Sequence, residues 1–198
     1  MYLNSKICYI LLLPQSWALL VGILLCFVEK CWGQKKMCDQ PHNTTSTIYD
    51  FSIRDIHLQQ TINMSDYRGK VLVFVNVEEP GWNGTEIMNG IKYVRPGGGF
   101  VPAFPMTEKI DVNGKFTHPL YIYLKKFCPP IDDNFRILTT YTPVAFNDVH
   151  WNFDKFMVGK DGRIISRYHP KFQPEDLRDD IIAALSHKSN NGHEFLVG

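Results

Sequence analysis

The chain has 198 residues, 44% of them hydrophobic and 13% aromatic, with a formal charge of +1. That length and apolar content suit a single packed domain and exclude a disordered or low-complexity chain. The near-neutral charge excludes a surface built for polyanions, so no nucleic-acid partner is expected.

Residues 1–33 differ from the rest. Lys6 precedes an apolar run from Ile7 to Val28, which ends in Cys31-Trp32-Gly33 with small residues where a signal peptidase cuts. This pattern predicts a secretory signal over 1–33 and a secreted, extracellular domain over 34–198. The rival reading is a membrane anchor, since this run of 22 residues, interrupted only by Pro14, Gln15 and Ser16, is long enough to span a bilayer. The length of the apolar run and the charges Glu29 and Lys30 near the cut favour the signal, so no membrane association is expected. Lys6, Glu29 and Lys30 together carry +1, which leaves residues 34–198 with a formal charge of 0.

Three Asn-x-Ser/Thr acceptors follow at Asn43, Asn63 and Asn83, and behind a signal they predict a glycoprotein with those asparagines in surface loops. Of five cysteines, Cys8, Cys26 and Cys31 belong to the leader. Cys38 and Cys128 remain, and in an oxidising compartment they either pair with each other, bridge to another chain, or stay free.

In chain order, Ile48 to Leu58 alternates partly and suits an early strand or hairpin. Val71 to Val77 ("VLVFVNV") is nearly all apolar and predicts a strand buried on both faces. Such a strand calls for a parallel neighbour, reached through a crossover of a dozen or more residues. Nothing after Val77 supplies one; an acidic turn, Glu78-Glu79-Pro80, follows instead. Glu86 to Tyr93 reads as a short helix ended by Arg95-Pro96. Pro96 to Phe100 is glycine-rich, without the strand and Lys-Ser/Thr pair of a phosphate cradle. His118 to Lys126 has helical spacing and stops at Cys128-Pro129-Pro130. Phe153 to His169 predicts an antiparallel hairpin turning at Lys160-Asp161-Gly162. Pro174, Glu175 and Asp176 open a last helix with Leu177, Ile181, Ala184 and Leu185 on one face. The tail from Ser189 is expected to fray.

No zinc-ligand spacing and no Gly-x-Ser-x-Gly elbow is present, so neither a metal nor a serine nucleophile is expected. Trp151-Asn152 pairs two neutral N–H donors able to stabilise a thiolate; on pattern alone a core tryptophan is the blander reading.

Taken together, "YRGKVLVFVNV", "EPGWNGTEI", "KYVRPGGGFVPAF" and "NDVHWNFDKFMVGKDGRIISRYHPKFQ" resemble the glutathione peroxidase family over nearly all of Ile48 to Leu185. The leader, Cys38 and the Cys128-Pro-Pro element are similar to its secreted, plasma-type and epididymal-type members. The resemblance implies an α/β, thioredoxin-like fold. It also implies reduction of hydrogen peroxide and organic hydroperoxides with glutathione as co-substrate, in the response to oxidative stress and without a further cofactor. In the family a selenolate or thiolate attacks the peroxide, becomes a selenenic or sulfenic acid, and is restored by two thiols. A Gln, a Trp and an Asn donate to it; Trp151 and Asn152 match the last two. Arg95 and Arg167 match arginines that hold glutathione carboxylates. The loop Pro96, Gly97, Gly98, Gly99, Phe100 matches one found at subunit contacts, so a homo- or hetero-oligomer is expected through it.

Between Val77 and Glu78 the family has the nucleophile loop, a helix, a second parallel strand and the Gln. About 40 residues, the size of one strand–helix–strand unit, are expected to be missing. Two alternatives to an active peroxidase follow: an inactive, exon-skipped variant that at most associates with active subunits, or a secreted non-enzymatic glycoprotein.

Overall fold

The computed structural model describes residues 34–41, 43–77, 81–131 and 141–187, all within one compact unit, Gly33–Gly198. The leader over 1–33, the acidic turn Glu78-Glu79-Pro80 and the tail from Ser189 lie outside the described residues.

The mixed α/β fold expected from sequence is present. Strands β1 (Lys35–Met37), β4 (Leu72–Val75), β5 (Lys155–Val158) and β6 (Ile164–Tyr168) form one sheet in the order β1-β6-β5-β4. All neighbours are antiparallel. Strands β2 (Ser52–Arg54) and β3 (Thr61–Asn63) make a separate hairpin. The helices are α1 (Gly84–Tyr93), α2 (Pro119–Lys126) and α3 (Arg178–Ser186).

The hairpin β5–β6 forms because Gly162 permits its turn. Gly162 sits at φ +79°, and a Cβ there would lie 2.4 Å from the Tyr49 ring. Alternation along β5 sends Phe156 and Val158 to one face, beneath α2, and Met157 to the other, beneath α3. Val158 pairs with Ile164 while Met157 pairs with Ser166, so Ile165 is the extra residue of a bulge in β6. The bulge resets the alternation: Ile164 joins the face of Phe156, and Tyr168 joins that of Met157.

Helix starts follow capping chemistry. The Asn83 side chain accepts from the Glu86 N–H at 3.0 Å, and His118 Nδ1 accepts from the Leu120 N–H ahead of Pro119. In α3, Leu177 just ahead of the helix, Ile181 and Ala184 face the core, but Leu185 is 49% exposed. One step further round the helix than Ala184, it clears the small cluster that the stripe covers.

The expected seven-residue strand buried on both faces is not what forms. β4 spans Leu72–Val75, is half-buried, and leaves Val75 and Val77 44% and 47% exposed. The reason is position: β4 ends the sheet, and among the described residues β5 is its sole strand partner. The sequon asparagines Asn43, Asn63 and Asn83 are exposed, though Asn63 closes β3 rather than lying in a loop. The structure joins Cys38 to Cys128 in a disulfide, tying the end of β1 to the end of α2.

Buried tyrosines, Tyr121, Tyr123 and Tyr168 foremost, set the alkaline limit of this core. Burial pushes the Tyr123 phenol up to about 12, and raises Tyr121 and Tyr168 above the ordinary value as well. The unfolded chain releases those protons near pH 10 while the folded chain retains them, so stability is full below about 10 and lost as pH climbs toward the folded values. The expected slope is about 1.4 kcal/mol per pH unit for each tyrosine. Circular dichroism across that range checks it, and Tyr123→Phe should flatten the fall. A pH-independent stability would contradict it.

Candidate functional site

The end of β4 and the segment 145–154 meet at one corner. Asn76 Nδ2 donates to the Trp151 carbonyl at 3.1 Å, the Phe153 N–H donates to the Asn76 carbonyl at 2.8 Å, and the Asn76 N–H reaches the Asp154 carbonyl at 3.4 Å. These bonds hold Trp151 and Asn152 beside the carboxyl end of β4. Both line a cleft of about 1420 Å³ with Leu72, Phe74, Phe104 and Ile110. Trp151 lines the cleft but is 56% exposed, so the reading of a core tryptophan is wrong. Phe153 has φ +69°, which for a bulky residue costs on the order of 1–2 kcal/mol. That turn swings the chain from the cleft into β5.

Polar groups that sequence reasoning passed over fasten this corner from below. Lys125 Nζ donates to Asp148 Oδ1 at 2.7 Å and to Asn113 Oδ1 at 3.0 Å. Asn113 also exchanges hydrogen bonds with the Val149 backbone in both directions. Desolvation holds the Lys125 ammonium below its ordinary range, with Asp148 pulling it back up. No periodicity announces these residues; each looks like a surface polar residue until the chain folds.

Arg167 belongs to the same fastening, and this corrects its expected role. It is wholly buried, with Nε and Nη2 on Asp154 Oδ2 at 3.2 and 2.5 Å, Nη1 on the Asn147 carbonyl at 2.9 Å and Nη2 on the Asp148 carbonyl at 2.8 Å. Its guanidinium lies 5.0 Å from the Phe156 ring centroid. A guanidinium so committed has no face to offer a glutathione carboxylate. Burial pushes the Asp154 carboxyl up and Arg167 pulls it down; Oδ1 of Asp154 has no hydrogen-bond partner among the described residues, and burial prevails.

Arg95 lies elsewhere, on the exposed loop after α1, and does not line the cleft. The same loop carries Gly97, Gly98 and Gly99 at positive φ and leaves Phe100 half-exposed. Cys128 is buried, and neither it nor Cys38 lines the cleft. Among the described residues no group of acidic, histidine or cysteine side chains is arranged to hold a metal ion. Nor is any described helix long and apolar enough to cross a membrane.

Known proteins place this architecture. No family model matches the chain. It is 35% identical to glutathione peroxidase 1 of Rattus norvegicus over 190 positions, covering 74% of this chain and 94% of that protein. It is 33% identical to glutathione peroxidase 3 of Hylobates lar over 223 positions, covering 91% and 97%. The chain belongs to the glutathione peroxidase family. Among solved structures, the crystal structure of Trgpx in apo form superposes with a TM-score of 0.51 at 27% identity, covering 73% of this chain and 99% of that one. The thioredoxin-like fold of the glutathione peroxidases is therefore the frame in which the Trp151–Asn152 corner sits.

Proposed function

We propose that this chain is a secreted, glycosylated glutathione peroxidase whose family reaction is reduction of hydrogen peroxide and organic hydroperoxides by glutathione. We propose further that it lacks the attacking atom and does not turn over alone. In the family reaction a thiolate or selenolate takes one peroxide oxygen, the O–O bond breaks, and water or an alcohol leaves. Two glutathione thiols then return the oxidised atom to its starting state: the first displaces the hydroxyl as water, the second displaces the atom from the mixed intermediate, and the pair leaves as a disulfide.

One observation carries the reading: residues 34–198 hold two cysteines, and both are spent in the Cys38–Cys128 disulfide, away from the cleft that Trp151 and Asn152 line. A disulfide sulfur is not a thiolate and cannot attack peroxide. The alignments lend support. The 190 positions shared with glutathione peroxidase 1 engage 74% of this chain, about 147 residues, and so leave about 43 positions of the relative unmatched. The 223 positions shared with glutathione peroxidase 3 engage 91%, about 180 residues, and again leave about 43. A single excision after Val77, of the kind exon skipping produces, accounts for both numbers and for a β4 edge without a strand partner among the described residues.

What the chain keeps is the donor pair Trp151 and Asn152, the exposed Arg95, and the loop Pro96 to Phe100, through which it is proposed to join active subunits. A coupled glutathione-oxidation assay with hydrogen peroxide tests this. The rate should equal the uncatalysed one; saturable turnover by the purified chain would overturn the reading.

A further inference from the structure

We propose that the edge of β4 that has no strand partner among the described residues is a self-pairing surface, on which a second copy of this chain docks antiparallel to make one sheet continuous across the pair. This inference concerns assembly and stands whether or not the chain turns over peroxide.

The backbone decides which groups face outward. Antiparallel ladders bond alternate residues to each neighbour. Asn76 bonds back to the β5 side through both its N–H and its carbonyl. By alternation Phe74 and Leu72 do likewise, and Val73 and Val75 present their N–H and carbonyl groups to the open edge. Val77 follows in the same phase and is exposed, like Val75.

The sequence of that edge is nearly its own mirror. Val71-Leu72-Val73-Phe74-Val75-Asn76-Val77 reads the same in both directions about Phe74, except that Leu72 stands opposite Asn76. A twofold axis through Phe74 therefore sets Val73 against Val75 of the second copy, and Val71 against Val77. Both pairings join outward-facing residues, so the hydrogen-bonding phase matches as well. Phe74 meets its own counterpart in the close, non-hydrogen-bonded position, where an aromatic pair adds to sheet stability. Isologous contact of this kind closes at two copies.

Charge separates the two ends of the sheet. The other edge strand, β1, carries Lys35 and Lys36, the residues that proteins use to block edge pairing. Val71 to Val77 carries no charge or proline, and so nothing opposes an identical strand. The apolar cleft beside this edge, with Phe104 and Ile110 in its wall, gives such a pair further surface to cover.

Size-exclusion chromatography with light scattering on the full chain, expressed in a secretory host, tests the proposal at micromolar concentrations, the weak end of interface affinities. Twice the monomer mass is expected, falling to one copy in Val75→Lys and staying at two copies in Phe100→Ser. If Val75→Lys does not fold, hydrogen exchange on the unaltered chain still decides. The Val73 and Val75 amides should gain about tenfold or more protection as concentration rises, and those of Leu72 and Phe74 should not change. A monomer throughout that range, a dimer lost in Phe100→Ser instead, or open-ended aggregate would each overturn it.

Discussion

Arg167→Leu should cost about 3–5 kcal/mol of stability, the largest loss expected from any single side chain here. The loss comes from what the arginine leaves behind. Asp154 is wholly buried, has Arg167 as its ion-pair partner, and already has one oxygen without a hydrogen-bond partner among the described residues. The carbonyls of Asn147 and Asp148 would lose their donors as well. The variant should also acquire a pH signature. Without Arg167 the Asp154 carboxyl rises further above its unfolded value. The penalty is therefore complete at pH above the folded value and shrinks as pH falls through it toward about 4, where both states are protonated. Urea unfolding at pH 8 and pH 5 reads both effects, with the smaller loss at pH 5. Asp154→Leu with Arg167→Met should fall less far than the sum of the two single changes, since no charge is then buried alone. A loss under about 1 kcal/mol for Arg167→Leu would mean that the guanidinium is not committed as described.

Removing the disulfide should cost at least as much. Cys38 and Cys128 are 90 residues apart, and closing a loop of that length in the unfolded chain corresponds to about 4–5 kcal/mol on the chain-entropy account. The bridge also tethers β1, a three-residue edge strand whose pairing with β6 is the longest-range contact in the sheet. Cys38→Ser with Cys128→Ala should lower the denaturation midpoint, and β1 amides should exchange much faster than those of β5. Against a total stability of about 5–15 kcal/mol, the variant is expected to be poorly secreted. A midpoint unchanged under reductant would contradict the assignment of this bond as a structural staple.

Local elements were the legible part of the sequence. The Lys160-Asp161-Gly162 turn and the helix opening at His118-Pro119 each act over three or four residues and formed where expected, while the helix expected from Glu86 begins at Gly84, behind an Asn83 cap that the sequence reading missed. Features set by distant partners were not legible. An apolar run such as Val71 to Val77 looks the same whether a neighbour exists on one side or on both, so its fate as an edge waited on the sheet order. Arg167 is the sharper case. Its side chain reaches the Phe156 face because Ile165 bulges, and no pattern in "IISRY" announces a bulge. The Trp151–Asn152 corner was legible as a motif but not as geometry, because its supports, Asn113, Lys125 and Asp148, come from remote segments.

The central claim is that residues 34–198, with both of their cysteines in the Cys38–Cys128 disulfide, hold no thiolate to attack peroxide. Its most direct measurement is intact mass spectrometry of the purified, unreduced chain after exposure to stoichiometric hydrogen peroxide with a sulfenic-acid trap. The account predicts no adduct on Cys38 or Cys128 and no lost peroxide beyond the protein-free control. A trapped sulfenic acid in one-to-one yield on either cysteine, formed as fast as peroxide disappears, would contradict it.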